Sequence, residues 1–100
     1  MVTFEQLLRI YLQEIRNIDE PDDLMTETLL VLSTRDAFED FALTKEELFR
    51  LNRADDQLVK RWEVLAEALP FPAPHPRERW WWFLHEGPQV REQARALAAD

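Results

Sequence analysis

The chain has 100 residues, with 20 Asp and Glu against 12 Lys and Arg, for a formal charge of −8. It holds one glycine, six prolines, four tryptophans and no cysteine. Disulfides and thiolate zinc sites are excluded, and so are glycine-rich phosphate loops and any 18-residue apolar span. The length suits a single helical domain over 1–100. The N-terminal residues lack a basic, then apolar, leader pattern, so the expected location is the cytoplasm. The acidic balance argues against direct contact with nucleic acid or an anionic membrane, and favours a basic protein partner.

In chain order, Thr3-Phe4-Glu5-Gln6 has capping-box spacing. Phe4, Leu7, Leu8, Tyr11, Ile15 and Ile18 then recur at helical spacing, predicting a first helix over 4–18. Pro21 separates it from a second, capped by Asp22 or Asp23 and running to about Leu32. The run Leu29-Leu30-Val31-Leu32 reads as helix or as a short buried strand, which periodicity alone does not separate; helix is favoured because no partner strand is visible. Ser33 or Thr34 is expected to cap a third helix over 35–42. Thr44-Lys45-Glu46-Glu47 is a second capping box opening a short helix with Leu48, Phe49 and Leu51. Asp55 or Asp56 is expected to cap the next, with Leu58, Trp62, Leu65 and Leu69 as its apolar stripe. Glu46 with Arg50 and Asp56 with Lys60 have the spacing of supportive surface pairs.

Residues 70–76 carry alternate prolines and read as a stiff connector, with Phe71 folded onto the core. A helix from Pro76 to Glu86 follows, stopped by Gly87-Pro88, and a last helix covers about 88–98. The prediction is an all-α, compact bundle of five to six short helices with a proline-rich connector before the C-terminal helices.

Two features go beyond a generic bundle. The first is where the charge sits. Residues 1–18 and 57–100 are each neutral, so the whole −8 lies in 19–56. Within 19–40, eight acids face one base, Arg35. Helix capping accounts for Asp22, Asp23, Asp36, Asp55 and Asp56, leaving Asp19, Glu20, Glu39 and Asp40 as candidate docking acids. Calcium binding is not expected, because the EF-hand glycine and bidentate glutamate positions hold Leu24 and Leu30.

The second feature is Trp80-Trp81-Trp82. On an α-helix these rings point about 100° apart. Trp80 can share a face with Phe83 and Leu84, which leaves Trp81 and Trp82 as a candidate partner anchor with at least one ring partly exposed. The competing reading buries all three, or stacks Arg77 on Trp81.

His75 and His85 lack metal-ligand spacing, Ser33 is the only serine, and no carboxylate pair stands out as acid and base. The expectation is a non-catalytic protein–protein interaction or regulatory module without cofactor or metal. It would use the acidic surface 19–40 and the aromatic anchor 80–82. The alternatives are an acidic inhibitor of a nucleic-acid-binding protein and, last, a small carboxylate-dependent enzyme. A homodimer through the aromatic helix is compatible with all three.

Overall fold

A computed structural model describes residues 1–69 and 74–99. The described residues form five α-helices: α1 (Phe4–Asn17), α2 (Leu24–Ala37), α3 (Lys45–Val59), α4 (Trp62–Ala68) and α5 (Val90–Ala99). A 3₁₀ turn, Phe38–Asp40, extends α2, and a 3₁₀ helix, Trp80–Glu86, precedes α5. No strand is present among them, so the all-α bundle is observed. Among the described residues no helix is long and apolar enough to cross a membrane. Of the connector 70–76, residues 70–73, including Phe71, lie outside the described residues, and 74–76 are non-helical.

Both capping boxes form. Thr3 and Gln6 exchange side-chain-to-backbone hydrogen bonds of 2.9 and 3.2 Å, and Thr44 and Glu47 do the same at 2.9 and 3.1 Å. Each pair satisfies two otherwise orphaned donors at a helix start. Asp23, the second of the two proposed caps, accepts from the backbone N–H and the hydroxyl of Thr26.

The middle of the chain has fewer, longer helices than its sequence suggests. Nothing between 24 and 37 is Gly or Pro, so α2 passes through Ser33 and Thr34 without stopping there. The run Leu29–Leu32 is helical, with Val31 and Leu32 buried and Leu29 and Leu30 exposed. Of the expected helix 35–42, only the turn Phe38–Asp40 lies beyond α2. In the same way α3 continues through Asp55 and Asp56, which are interior helical residues rather than caps. Aspartate is a weak helix former, but Asp55 finds buried partners that outweigh this preference. The surface pairs are replaced too: Arg50 bonds Glu5 on α1, and Asp56 bonds Arg91 on α5.

Helix α1 packs against both α2 and α3. Its buried Phe4, Leu7, Leu8, Tyr11 and Ile15, with Ile18 just beyond, meet Val31, Leu32, Phe38, Leu51 and Leu58. Phe38 is the hub, with ring centroids 5.8 Å from Phe4 and 5.6 Å from Tyr11. The 3₁₀ helix packs against α2, α4 and α5 and brings in Trp80 to Leu84. Gly87, at φ 114°, closes that helix through its N–H to the Leu84 carbonyl, a backbone position that strains any residue with a Cβ.

Candidate functional site

The strongest concentration of buried polar chemistry lies at the C-terminal end of α2. Arg35 is the single base of the acidic segment, and it points inward. Its Nε and Nη2 donate to the two carboxylate oxygens of Asp55 on α3, at 2.9 and 3.1 Å. Tyr11 of α1 donates its hydroxyl to the same Asp55 at 2.7 Å. The guanidinium carbon lies over the Trp81 ring, 4.1 Å from its centroid, and Nη1 reaches Glu39 at 3.3 Å. Asp55 is 1% exposed and Arg35 7%. This bidentate geometry is the kind that compensates for removing two charges from water.

The neighbouring residue, Asp36, holds the tryptophan run. One of its carboxylate oxygens accepts both the Trp81 indole N–H, at 2.8 Å, and the Trp82 indole N–H, at 2.9 Å. Arg79 approaches the same oxygen at 3.4 Å. A 3₁₀ helix turns about 120° per residue, and the kink at Phe83 interrupts even that. Three consecutive rings therefore spread around the segment, and each still finds cover because helices surround it. Trp80 is 6% exposed, Trp81 2% and Trp82 6%.

The expected α-helix from Pro76 is corrected to a 3₁₀ helix that begins at Trp80, and of the two readings of the rings the burial of all three is the one observed. Trp81 and Trp82 belong to the interior of the folded chain. Arg77 leaves Trp81 to Arg35 and instead covers Phe83, 4.5 Å from its centroid, while bonding Glu86 through two hydrogen bonds. His75 stacks on Trp82 at 4.2 Å.

The four candidate acids are not brought together. Asp19 and Glu20 lie in the loop before α2, and Glu39 and Asp40 in the turn after it. The 14 residues of α2 separate the two groups by about 21 Å. Asp19 is bound to Arg61 by two hydrogen bonds of 2.9 Å, and Glu39 is held by Arg35. Glu20, Asp22 and Asp40 are exposed and make no ion pair among the described residues. Between the two groups, α2 exposes Met25, Leu29 and Leu30.

No protein-family model, curated protein or solved structure matches this chain. Its chemistry must therefore be read from its own geometry. Burial first, and the Asp55 carboxylate next, push the Tyr11 phenol well above its ordinary range. Burial opposes the charge on Arg35, but Asp55, Tyr11 and Glu39 more than offset it and its pKa is raised. A tyrosine held protonated beside an arginine held charged is a fixed arrangement, and neither group is poised to exchange protons near neutral pH. Among the described residues no group of three His, Asp or Glu side chains converges to hold a metal ion.

A different carboxylate is perturbed. Glu14 on α1 is buried against α2, and its Oε2 and the Oε2 of Glu27 are both buried without a hydrogen-bond partner among the described residues. Burial raises the Glu14 pKa and the Glu27 charge raises it further, with the Thr34 hydroxyl in opposition.

Little in the sequence announces the polar core. Its signals were Arg35 as the only base among eight acids and Tyr11 as the only tyrosine. Neither signal names Asp55 as the shared partner, because that pairing spans 44 residues to Tyr11 and 20 to Arg35.

Proposed function

We propose that this chain is a non-catalytic protein–protein interaction module that docks through the outward face of α2. The supporting observation is an apolar strip with acidic ends. Met25, Leu29 and Leu30 are exposed, at 57%, 38% and 47%. They lie between Glu20 and Asp22 on one side and Asp40 on the other, acids without ion-pair partners among the described residues. Exposed apolar side chains at the centre of a patch with like charges at its margin suit a protein that presents an apolar spot ringed by Lys or Arg. The acids steer encounter and set register, and the aliphatic strip supplies desolvation. The buried tryptophans play no direct part in this surface; they hold the C-terminal half against α2, which carries it.

The test is affinity capture from the native host at low ionic strength, using the wild-type chain and the triple variant Glu20→Gln, Asp22→Asn, Asp40→Asn. The captured protein is then purified and titrated with both. Losing three steering charges is expected to weaken binding by about tenfold or more and to flatten its salt dependence. Equal affinity for the two chains at every ionic strength would overturn the reading. Recovery of a nucleic-acid-binding protein as the partner would narrow it to the inhibitor form.

A further inference from the structure

The acidic total conceals a basic groove. Three adjoining hollows of 360, 200 and 160 Å³ run along the seam between α1 and α3 and share the side chain of Leu12. Leu8, Leu12, Ile15 and Ala54 supply apolar lining along the seam. Five of the ten arginines of the chain line the hollows: Arg9 and Arg16 from α1, Arg50 and Arg53 from α3, and Arg61 just after it. Helical spacing explains the alignment. Arg9 and Arg16 are seven residues apart on α1, and Arg50, Arg53 and Gln57 follow one another at three and four on α3.

Two of these guanidiniums are compensated, Arg50 by Glu5 and Arg61 by Asp19. Glu46 and Glu47 lie within electrostatic reach of Arg50, so that end is the less positive one. Arg9, Arg16 and Arg53 are exposed and make no ion pair among the described residues. The groove is therefore a locally positive, aliphatic-lined channel on a chain whose net charge is −8. From Glu5 to Arg16 the α1 side extends about 17 Å, room for a short helix of about 11 residues or a strand of five.

We infer that the α1–α3 groove docks a segment of a partner protein that combines Asp or Glu with aliphatic or aromatic side chains. Arginine suits this role because its planar fork pairs with carboxylates bidentately. The lining accepts the apolar side chains of such a segment, as grooves that receive amphipathic helices do. Nucleic acid fits less well, because its phosphates would meet the field of a strongly acidic chain and the hollows offer no aromatic ring for base stacking. This surface is independent of the α2 face, and the two would make the chain a bridge between a basic and an acidic partner.

The experiment is selection from a random peptide display library on the wild-type chain. The best peptides are then titrated by fluorescence anisotropy against wild type, Arg9→Glu/Arg53→Glu and the control Arg95→Glu, whose site lies outside the groove. A milder Arg9→Gln/Arg16→Gln variant serves if the double reversal unfolds. One class of the selected peptides is expected to be rich in Asp and Glu with interspersed Leu, Ile, Phe or Met, beside any Lys- and Arg-rich peptides drawn to the α2 face. The Kd of the acidic class should rise at least about tenfold in the groove variants and stay unchanged in the control. Three results would overturn the proposal: no acidic class among the selected peptides, acidic peptides that bind the groove variants as well as wild type, or a short DNA duplex that binds more tightly with the same arginine dependence. Concentration-dependent dimerisation abolished by the groove variants would also overturn it, by assigning the groove to a second copy of the chain. None of these variants alters α2, so failure here leaves the acidic-face reading standing, and the converse holds.

Discussion

Two buried charged clusters both draw on α1 and α2, and they differ in how their charges are satisfied. At the C-terminal end of α2, Arg35 and Asp55 are nearly inaccessible, yet both are hydrogen-bonded, and Tyr11 completes the set. Along the α1–α2 seam, Glu14 is also buried, yet it faces the like charge of Glu27, and among the described residues one oxygen of each lacks a hydrogen-bond partner. The first cluster ties three helices together and has the tryptophan run stacked on it. The second strains the seam it sits in. Burial alone does not say whether a charge holds a fold together; its partners do.

Removing one partner from the satisfied cluster should have the largest effect. Asp55→Ala strands Arg35 and the Tyr11 hydroxyl in the interior, with an expected loss of about 3–5 kcal/mol measured by urea unfolding. Next comes Asp36→Ala, which leaves two buried indole N–H groups without an acceptor. About 2–4 kcal/mol of destabilisation is expected, with red-shifted tryptophan emission reporting a loosened run. A loss under about 1 kcal/mol in either variant would mean that the interior re-satisfies itself, and the contrast between the clusters would collapse.

The strained cluster should respond with the opposite sign. The Glu14 pKa is raised in the folded state. Its protonated form therefore favours folding, and stability is lost as pH rises from the ordinary carboxylate range through the raised folded value. The penalty is fully present once the pH is above that raised value. Glu14→Gln removes the charge and offers an amide donor to Glu27, so a gain of about 1 kcal/mol is expected at neutral pH and little or none at pH 4. The difference between variant and wild type across a pH series isolates this site from the paired surface acids. A loss of stability at neutral pH would show that Glu14 has a cation or donor partner in solution.

The smallest effect on folding is expected for Glu20→Gln, Asp22→Asn and Asp40→Asn. These exposed, unpaired acids should shift stability by less than about 0.5 kcal/mol, so any binding defect they cause reports on docking and not on unfolding.

The sequence showed clearly those features that are decided locally. Thr3 with Gln6 and Thr44 with Glu47 cap as their spacing implies, and the stripe from Phe4 to Ile18 is buried. Gly87 stops the helix before it. What it did not show depends on tertiary partners. Asp55 looks like a cap until Arg35 and Tyr11 are seen around it. Asp36 looks like one until two indoles are found on its carboxylate. The tryptophan run suggests an interface because an isolated amphipathic α-helix cannot bury three consecutive rings. A 3₁₀ segment enclosed by α2, α4 and α5 can. The basic groove was invisible for a related reason: α1 is neutral in sequence, Arg50 and Arg53 belong to the acidic segment 19–56, and the arginines converge only when α1 lies beside α3.

The functional reading turns on which of the two sequence features meets a partner, the acids of 19–40 or the tryptophans of 80–82. Hydrogen exchange on the complex with the captured partner separates them directly. The account predicts new protection in the loops flanking α2, at 18–23 and 38–44, with exchange over 80–86 unchanged from the free chain. Protection that appears in 80–86 and leaves both loops unaltered would contradict it.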